Sequence, residues 1–356
     1  MTVHGLTDAA PADADARDRF GAMRERYLGR ILALAEEVVR GASPPGSALA
    51  AMCDYHMETG GKRLRALLPL LVADALGTDP AALVPFGAAC EMLHNATLVH
   101  DDVQDGDAMR RGRPTVWRRW GVPQAINLGD AMFYYTLLLV QRVEAPAALR
   151  EAAARRVLVD TLRIIDGQER EFALKRAARP ALDDYFAMVE GKTSGLFAIP
   201  MAGAAALCGA APALVEALEE SARQMGVLFQ LQDDVLDLYG EKGRETRGSD
   251  VGEGKRSVLA VHALQTAPEA EARWLQAVLD KERACTTEED VDEVTALFER
   301  AGSLRFALAE MARRREGALA PAALAEHARL RALVGGMCDV FLEPIRPLLA
   351  PDGTVN

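Results

Sequence analysis

The chain has 356 residues, half of them hydrophobic, and carries a net charge of −11. That acidity argues against nucleic acid as a partner, because binding a phosphate backbone takes a basic face. Five cysteines at 53, 90, 208, 285 and 338, with no CxxC pair, give neither a disulfide framework nor a thiolate metal site; they fit reduced thiols in a cytoplasm.

The first residues, "MTVHGLTDAAPADADARDRF", hold no apolar run of the signal-peptide kind, and residues 1–17 are expected to be disordered. Helical periodicity then dominates. Predicted helices are 19–39, 48–58 (running into the Gly60-Gly61 break), 65–76 (ending at Gly77), 80–105, 125–143, 147–176 and 182–190. Further helices are predicted at 195–208, 212–239, 258–266, 269–283, 287–301, 302–317 and 321–341. Breaks fall at Gly and Pro, strand-like alternation is nearly absent, and no linker divides the chain. The expectation is all-α: one large helical bundle over residues 18–346 around a central apolar cavity, with a flexible tail at 347–356. The uncharged stretch 196–215, "LFAIPMAGAAALCGAAPALV", has the length of a bilayer span, but Pro200, Pro212 and its Ala/Gly content make it a buried helix.

Chemistry concentrates in two clusters of the form D-D-x-x-D, Asp101-Asp102…Asp105 and Asp233-Asp234…Asp237. Residues four apart share a helix face, so the outer aspartates of each cluster project together. Like charges at that spacing repel. Both clusters lie in apolar surroundings, where grouped carboxylates need cations. All-oxygen ligands point to Mg²⁺, with Mn²⁺ as the alternative. Bases are interleaved with them: Lys62, Arg63 and Arg65 before the first cluster, Arg110, Arg111 and Arg113 after it, Lys192 between the two, and Lys255-Arg256 beyond the second. Acids with Lys and Arg near small residues describe a metal–diphosphate site.

The segments "GGKRLR", "LVHDDVQD…MRRGRPTVW", "GVPQAINLGD", "GKTSGLF", "FQLQDDVLDLYG" and "GSDVGEGKRS" occur in the order found in the trans-isoprenyl diphosphate synthases, and the chain resembles that polyprenyl synthetase family from about Gly60 to Arg256. The resemblance implies a Mg²⁺-dependent, cytoplasmic homodimer with no membrane span. It would condense isopentenyl diphosphate head-to-tail with an allylic diphosphate of C5–C15. It implies Asp101, Asp102, Asp105, Asp233, Asp234 and Asp237 as metal ligands. Lys62, Arg65, His94 and Arg111 would hold isopentenyl diphosphate. Arg110, Lys192, Thr193, Gln230 and Lys255 would hold the allylic diphosphate, with Lys192 and Gln230 counted as catalytic beside Asp101, Asp102, Asp105 and Asp233. Small residues ahead of Asp101, Ala96 and Thr97 followed by Leu93, would let the tail pass toward a C20 or longer product, with Tyr134 and Tyr135 as a floor. Glu245 stands where the family commonly has lysine, with Arg244 and Arg247 as substitutes; Gln168 matches a frequent Gly-Gln, and no role is assigned to Glu169 or Glu171. The alternatives are a class I isoprenoid cyclase, which pairs one Asp-rich motif with an Asn/Ser/Glu motif, and an inactive subunit of a heteromeric synthase, which usually has degraded clusters.

Overall fold

The computed structural model describes residues 14–177, 179–240 and 247–348. The helices are α1 (Ala14–Ala42), α2 (Ala48–Met57), α3 (Leu64–Ala75), α4 (Val84–Gln104), α5 (Val116–Trp120), α6 (Val122–Gln141), α7 (Ala147–Arg176), α8 (Leu182–Lys192) and α9 (Gly195–Leu207). They continue with α10 (Pro212–Tyr239), α11 (Ser249–Gly252), α12 (Val258–Thr266), α13 (Glu269–Leu279), α14 (Glu288–Arg300), α15 (Ser303–Leu319), α16 (Ala322–Ala325) and α17 (Ala328–Leu342).

Three helices form the middle of the bundle. α4 runs along α6 and against α3, α9 packs on α3, α7 and α10, and α10 lies against α15. α9 carries most of the uncharged stretch 196–215 foreseen as a buried helix, which breaks after Leu207 and ends in the first turn of α10; Ala and Gly make the flanks of α9 thin. A Cβ added at Gly203 would stand 2.6 Å from the Phe86 ring, so the missing side chain lets α4 press onto α9. Phe86 and Phe197 are fully buried in this seam. Each such side chain contributes roughly 1.5–3 kcal/mol by leaving water. No helix among the described residues is long and apolar enough to cross a membrane.

Local chemistry sets the helix starts. Asp79 accepts from Ala81 N–H and Pro80 fills the first turn, so the predicted helix 80–105 opens as a 3₁₀ turn (Pro80–Leu83) before α4 begins. Ser257 caps α12 through Ala260 N–H, and Thr287 with Asp290 forms a capping box on α14. The segment 321–341, predicted as one helix, breaks into α16 and α17 around Glu326-His327. Between α4 and α5 lies a hairpin that alternation did not reveal, β1 (Met109–Arg110) against β2 (Arg113–Pro114). Its turn residues, Arg111 and Gly112, both sit at positive φ (51° and 74°), as a two-residue hairpin of the primed kind requires.

Candidate active site

The C-terminal ends of α4 and α10 bring the two acidic clusters to one cavity of about 620 Å³, which Asp101, Asp105, Asp233, Asp234 and Asp250 all line. Two ammonium groups stand among these acids. Lys192 Nζ lies 2.5 Å from Glu171 and 3.8 Å from Asp101. Lys255 Nζ lies 2.6 Å from Glu253, 3.5 Å from Asp105 and 3.6 Å from Asp250. Burial opposes charge on both lysines, but the surrounding carboxylates win and hold their pKa values above the ordinary one.

Within each cluster the aspartates differ in environment. Asp102 turns away from the cavity and pairs with Arg110 at 2.6 Å; its second oxygen, Oδ2, is buried without a hydrogen bond among the described residues. Burial pushes Asp102 up to about 6 against the pull of Arg110, and burial likewise raises Asp101 against the pull of Lys192. Asp234 is enclosed: Tyr185 O–H donates to it at 2.7 Å, Gln230 at 2.9 Å and Val258 N–H at 2.8 Å. Burial first, and the neighbouring Asp250 charge second, still raise it to about 7. Thr193 donates to Gln230 at 3.0 Å, which links the end of α8 to this chain of hydrogen bonds. Asp237 is not on the cavity wall. It accepts from Ser249 O–H at 2.7 Å and Asp250 N–H at 3.0 Å, and so pins the turn that presents Asp250 and Lys255.

The other bases gather beside the first cluster. Arg65 lines the cavity with its guanidinium 4.9 Å from the Phe197 ring, and burial lowers it to about 10. Its Nη1 lies 3.5 Å from His94 Nε2. Burial, with Arg65 adding to it, holds His94 well below the usual imidazole range, so the ring is neutral at pH 7. Arg111 donates to the Gly60 carbonyl. Lys62 is exposed at the loop between them and, like Arg111, stands off the cavity wall.

Beyond Asp102, Asp237, Lys62 and Arg111, which stand off the cavity wall, other expectations change. Thr97 lines the cavity, but Ala96 and Leu93 do not; both are buried in the core. At about 100° per residue, four residues before Asp101 return to its face, whereas five point about 140° away. Leu98, three residues before, joins the wall with Thr97. Tyr134 is 70% exposed and Tyr135 is tied to Ser43, while their neighbour Phe133 faces the cavity. Arg247 bonds Asp292 at 2.8 Å and Thr295 at 3.1 Å on α14, away from the acids; Arg244 and Glu245 lie outside the described residues. Sequence reasoning passed over Glu171, Tyr185 and Glu253, whose roles depend on which helices pack together. Only the Gly167-Gln168 match pointed toward Glu171.

The donor set fits hard cations. Asp101, Asp105 and Asp233 present carboxylate oxygens to one space, with Asp102 Oδ2 buried behind them. Among the described residues no three acidic, imidazole or thiol groups already converge at metal-binding distance. Two acidic walls with lysines between them suit a polyanionic ligand bridged to the carboxylates by cations.

Residues 47–298 match the family model described as polyprenyl synthetase, and the chain belongs to that family. It is 37% identical over 268 residues to a geranylgeranyl diphosphate synthase of Mycobacterium tuberculosis, spanning 71% of this chain and 75% of that protein. It is 34% identical over 258 residues to a (2E,6E)-farnesyl diphosphate synthase of Mycobacterium bovis, 71% of each. The structure of geranylgeranyl pyrophosphate synthase from Corynebacterium glutamicum, complexed with isoprenyl diphosphate and magnesium, superposes with a TM-score of 0.75 at 25% identity over 88% of this chain and 96% of that one. The chain is accordingly a trans-prenyltransferase, an isoprenyl diphosphate synthase with the all-α fold of these enzymes.

Proposed function

We propose that this enzyme condenses isopentenyl diphosphate head-to-tail with an allylic diphosphate, in a Mg²⁺-dependent reaction, to an all-trans product of C20 (geranylgeranyl diphosphate) or longer. The observation that carries the reading is the pair of acidic walls on one cavity, with Lys192 bridging to Asp101 and Lys255 to Asp105. The magnesium and isoprenyl diphosphate of the Corynebacterium enzyme support the choice of ion and substrate.

Asp101, Asp105, Asp233 and Asp234, on the cavity wall, are the residues that would hold Mg²⁺, with Asp102 and Asp237 behind them. A bound cation supplies Lewis-acid neutralisation of the leaving diphosphate. Lys192, Lys255 and Arg110 take up the remaining diphosphate oxygens, and Thr193 with Gln230 orients the reacting end. The allylic C–O bond breaks toward that charged end, and the electron pair leaves with pyrophosphate. The wall of Leu98, Phe133 and Ile164, with Thr97 whose hydroxyl is turned to the His94 carbonyl, keeps water from the allyl cation. Arg65 and His94 on the cavity wall, with Lys62 and Arg111 outside it on the adjoining loops, would fix isopentenyl diphosphate so that its C3–C4 double bond attacks; neutral His94 adds no charge near the cation. The C2 proton passes to the departing pyrophosphate. Catalysis is by positioning and electrostatics, with no protein nucleophile.

The product length rests on small Thr97 in the wall. A homodimer is favoured by apolar side chains exposed on α6 and α7, among them Ile126, Leu138, Leu162 and Ile165. Residence in the cytoplasm rests on the five unpaired thiols.

Purified protein with labelled isopentenyl diphosphate, C5, C10 or C15 primers, and Mg²⁺ or chelator tests the whole reading. Chain extension that chelator abolishes, ending at C20 or beyond, is the expected result. Hydrocarbon or alcohol from the primer alone would identify a cyclase. No turnover would identify an inactive subunit.

A further inference from the structure

We propose that Arg24, on α1, is a positioning residue for the isopentenyl diphosphate subsite, acting through the backbone of the loop that presents Lys62. The inference rests on the reading of Lys62 and Arg65 given above. α1 lies before the segment that matches the family model, which begins at residue 47, so Arg24 belongs to the part of the chain the family resemblance leaves unassigned.

The loop from Gly60 to Arg63 has little of its own to hold it. Gly60, Gly61 and Arg63 all sit at positive φ, and Arg63 and Arg111 are the non-glycine residues in that region of backbone space among those described. The glycines take that backbone freely and leave the loop loose, whereas Arg63 holds it only where its surroundings fix it. Three guanidinium groups do so here. Arg63 turns inward to Glu91 at 2.7 Å, both side chains 4% exposed, with Asn95 donating to the same carboxylate oxygen at 3.0 Å. Arg111 donates to the Gly60 carbonyl, and a Cβ on Gly61 would collide with its guanidinium. Arg24 completes the frame from the opposite side: its Nη1 donates to the Lys62 carbonyl at 2.8 Å and to the Gly61 carbonyl at 3.2 Å.

Arg63 and Arg111 are tied to the core or to the substrate-binding set. Arg24 is half-buried on a surface helix, and its hydrogen bonds go to the carbonyls of the loop and not to the acidic clusters. Its two charge-assisted hydrogen bonds fix the peptide on either side of the Lys62 Cα, and hence the direction in which the Lys62 side chain leaves the loop. Without them the loop samples other orientations, and isopentenyl diphosphate must select the competent one, which weakens its apparent affinity by the fraction lost. The allylic subsite, built on Lys192, Lys255 and Arg110, is carried by other elements and is untouched.

The test is steady-state kinetics on Arg24→Ala, Arg24→Lys, Lys62→Ala and the double variant Arg24→Ala/Lys62→Ala, with thermal midpoints recorded beside them. Arg24→Ala should raise KM for isopentenyl diphosphate about ten-fold, the equivalent of ~1.4 kcal/mol. Its kcat and allylic KM should stay within about two-fold. Arg24→Lys should recover part of the loss, because an ammonium can still donate to the Lys62 carbonyl. In the double variant the KM should match Lys62→Ala alone, since Arg24 works through Lys62. An unchanged KM in Arg24→Ala, additive effects in the double variant, or equal loss on both substrates would overturn the proposal. If Lys62→Ala itself leaves the isopentenyl KM unchanged, the subsite reading fails instead.

Discussion

Gly167 on α7 and Lys192 on α8 meet backbone to backbone: a Cβ built on Gly167 would collide with the Lys192 nitrogen and with the Gly191 carbonyl carbon at 2.6 Å. Gly191 faces the same crossing, so two helices approach closely where neither has a side chain. The consequence is chemical. The crossing delivers Lys192 to Glu171, one turn further along α7, and to Asp101 on the far wall.

Gly167→Ala should therefore cost stability and turnover together. The obstructing atoms are backbone and cannot rotate aside, so overpacking of about 1–3 kcal/mol is expected. Denaturant midpoints should fall, and kcat should fall by more than the lost folded fraction because Lys192 is displaced. Wild-type stability with wild-type turnover would show that the crossing tolerates a side chain and leave Lys192 positioned by other means.

Glu171→Gln separates charge from shape at the same place. Lys192 is raised above its ordinary pKa because the Asp101 and Glu171 carboxylates outweigh burial. Removing one carboxylate lowers it. A lysine that must be charged for diphosphate binding then loses its proton at lower pH, so the basic limb of the pH–rate profile should move down. The stability linkage has the same sign. A raised lysine stabilises the fold below its unfolded pKa and loses that contribution as pH climbs through the folded value; the variant should lose it earlier. A basic limb that stays in place would show that Glu171 does not set the charge on Lys192.

What the sequence disclosed and what it withheld divide along one line. Asp101 with Asp105, and Asp233 with Asp237, were readable because helical spacing alone puts them on one face. The limits of α10 and α12, Pro212–Tyr239 and Val258–Thr266, followed from Pro, Gly and Ser at their ends. Tyr185 and Glu253 were not readable, since their partners Asp234 and Lys255 come from other elements and only tertiary packing joins them. Asp237 shows the limit of motif reasoning. It sits at the right spacing yet spends its oxygens on Ser249 and Asp250, holding a turn rather than facing the cavity.

Asp234 predicts a pH dependence for cation binding. Its folded pKa of about 7 lies above the ordinary 3.8, so the folded, cation-free protein holds a proton that the unfolded chain releases. Its contribution to stability thus falls as pH rises from about 4 to about 7. A cation competes with that proton, so Mg²⁺ affinity should rise over the upper part of the same interval and binding should release protons. Tyr185 donates to Asp234 and holds its pKa down. Tyr185→Phe should raise it further and weaken Mg²⁺ several-fold near pH 6.5 but little near pH 8. Calorimetric titration at the two pH values measures this; equal weakening at both would assign Tyr185 a packing role only.

The product length can be tested on adjacent residues that differ only in direction. Thr97 faces the cavity four residues before Asp101, and Ala96 faces the core with no exposure at all. A phenyl ring at either position must go somewhere, because protein interiors are close-packed. At Thr97 it enters the space beside Leu98 and Phe133, where the growing tail would lie. The diphosphate end is anchored among Lys192, Lys255 and the aspartates, so the tail cannot slide back to make room. Thr97→Phe should shift the main product toward C15 while the first condensations continue at near-normal rate. Ala96→Phe has no cavity to enter and should instead destabilise the α4 seam by about 1–3 kcal/mol, with the product distribution little changed. Mass analysis of dephosphorylated products, beside the unfolding midpoints, distinguishes the two. Shortened products from Ala96→Phe and none from Thr97→Phe would place the tail on the opposite side of α4, and the C20-or-longer reading would lose the wall on which it stands.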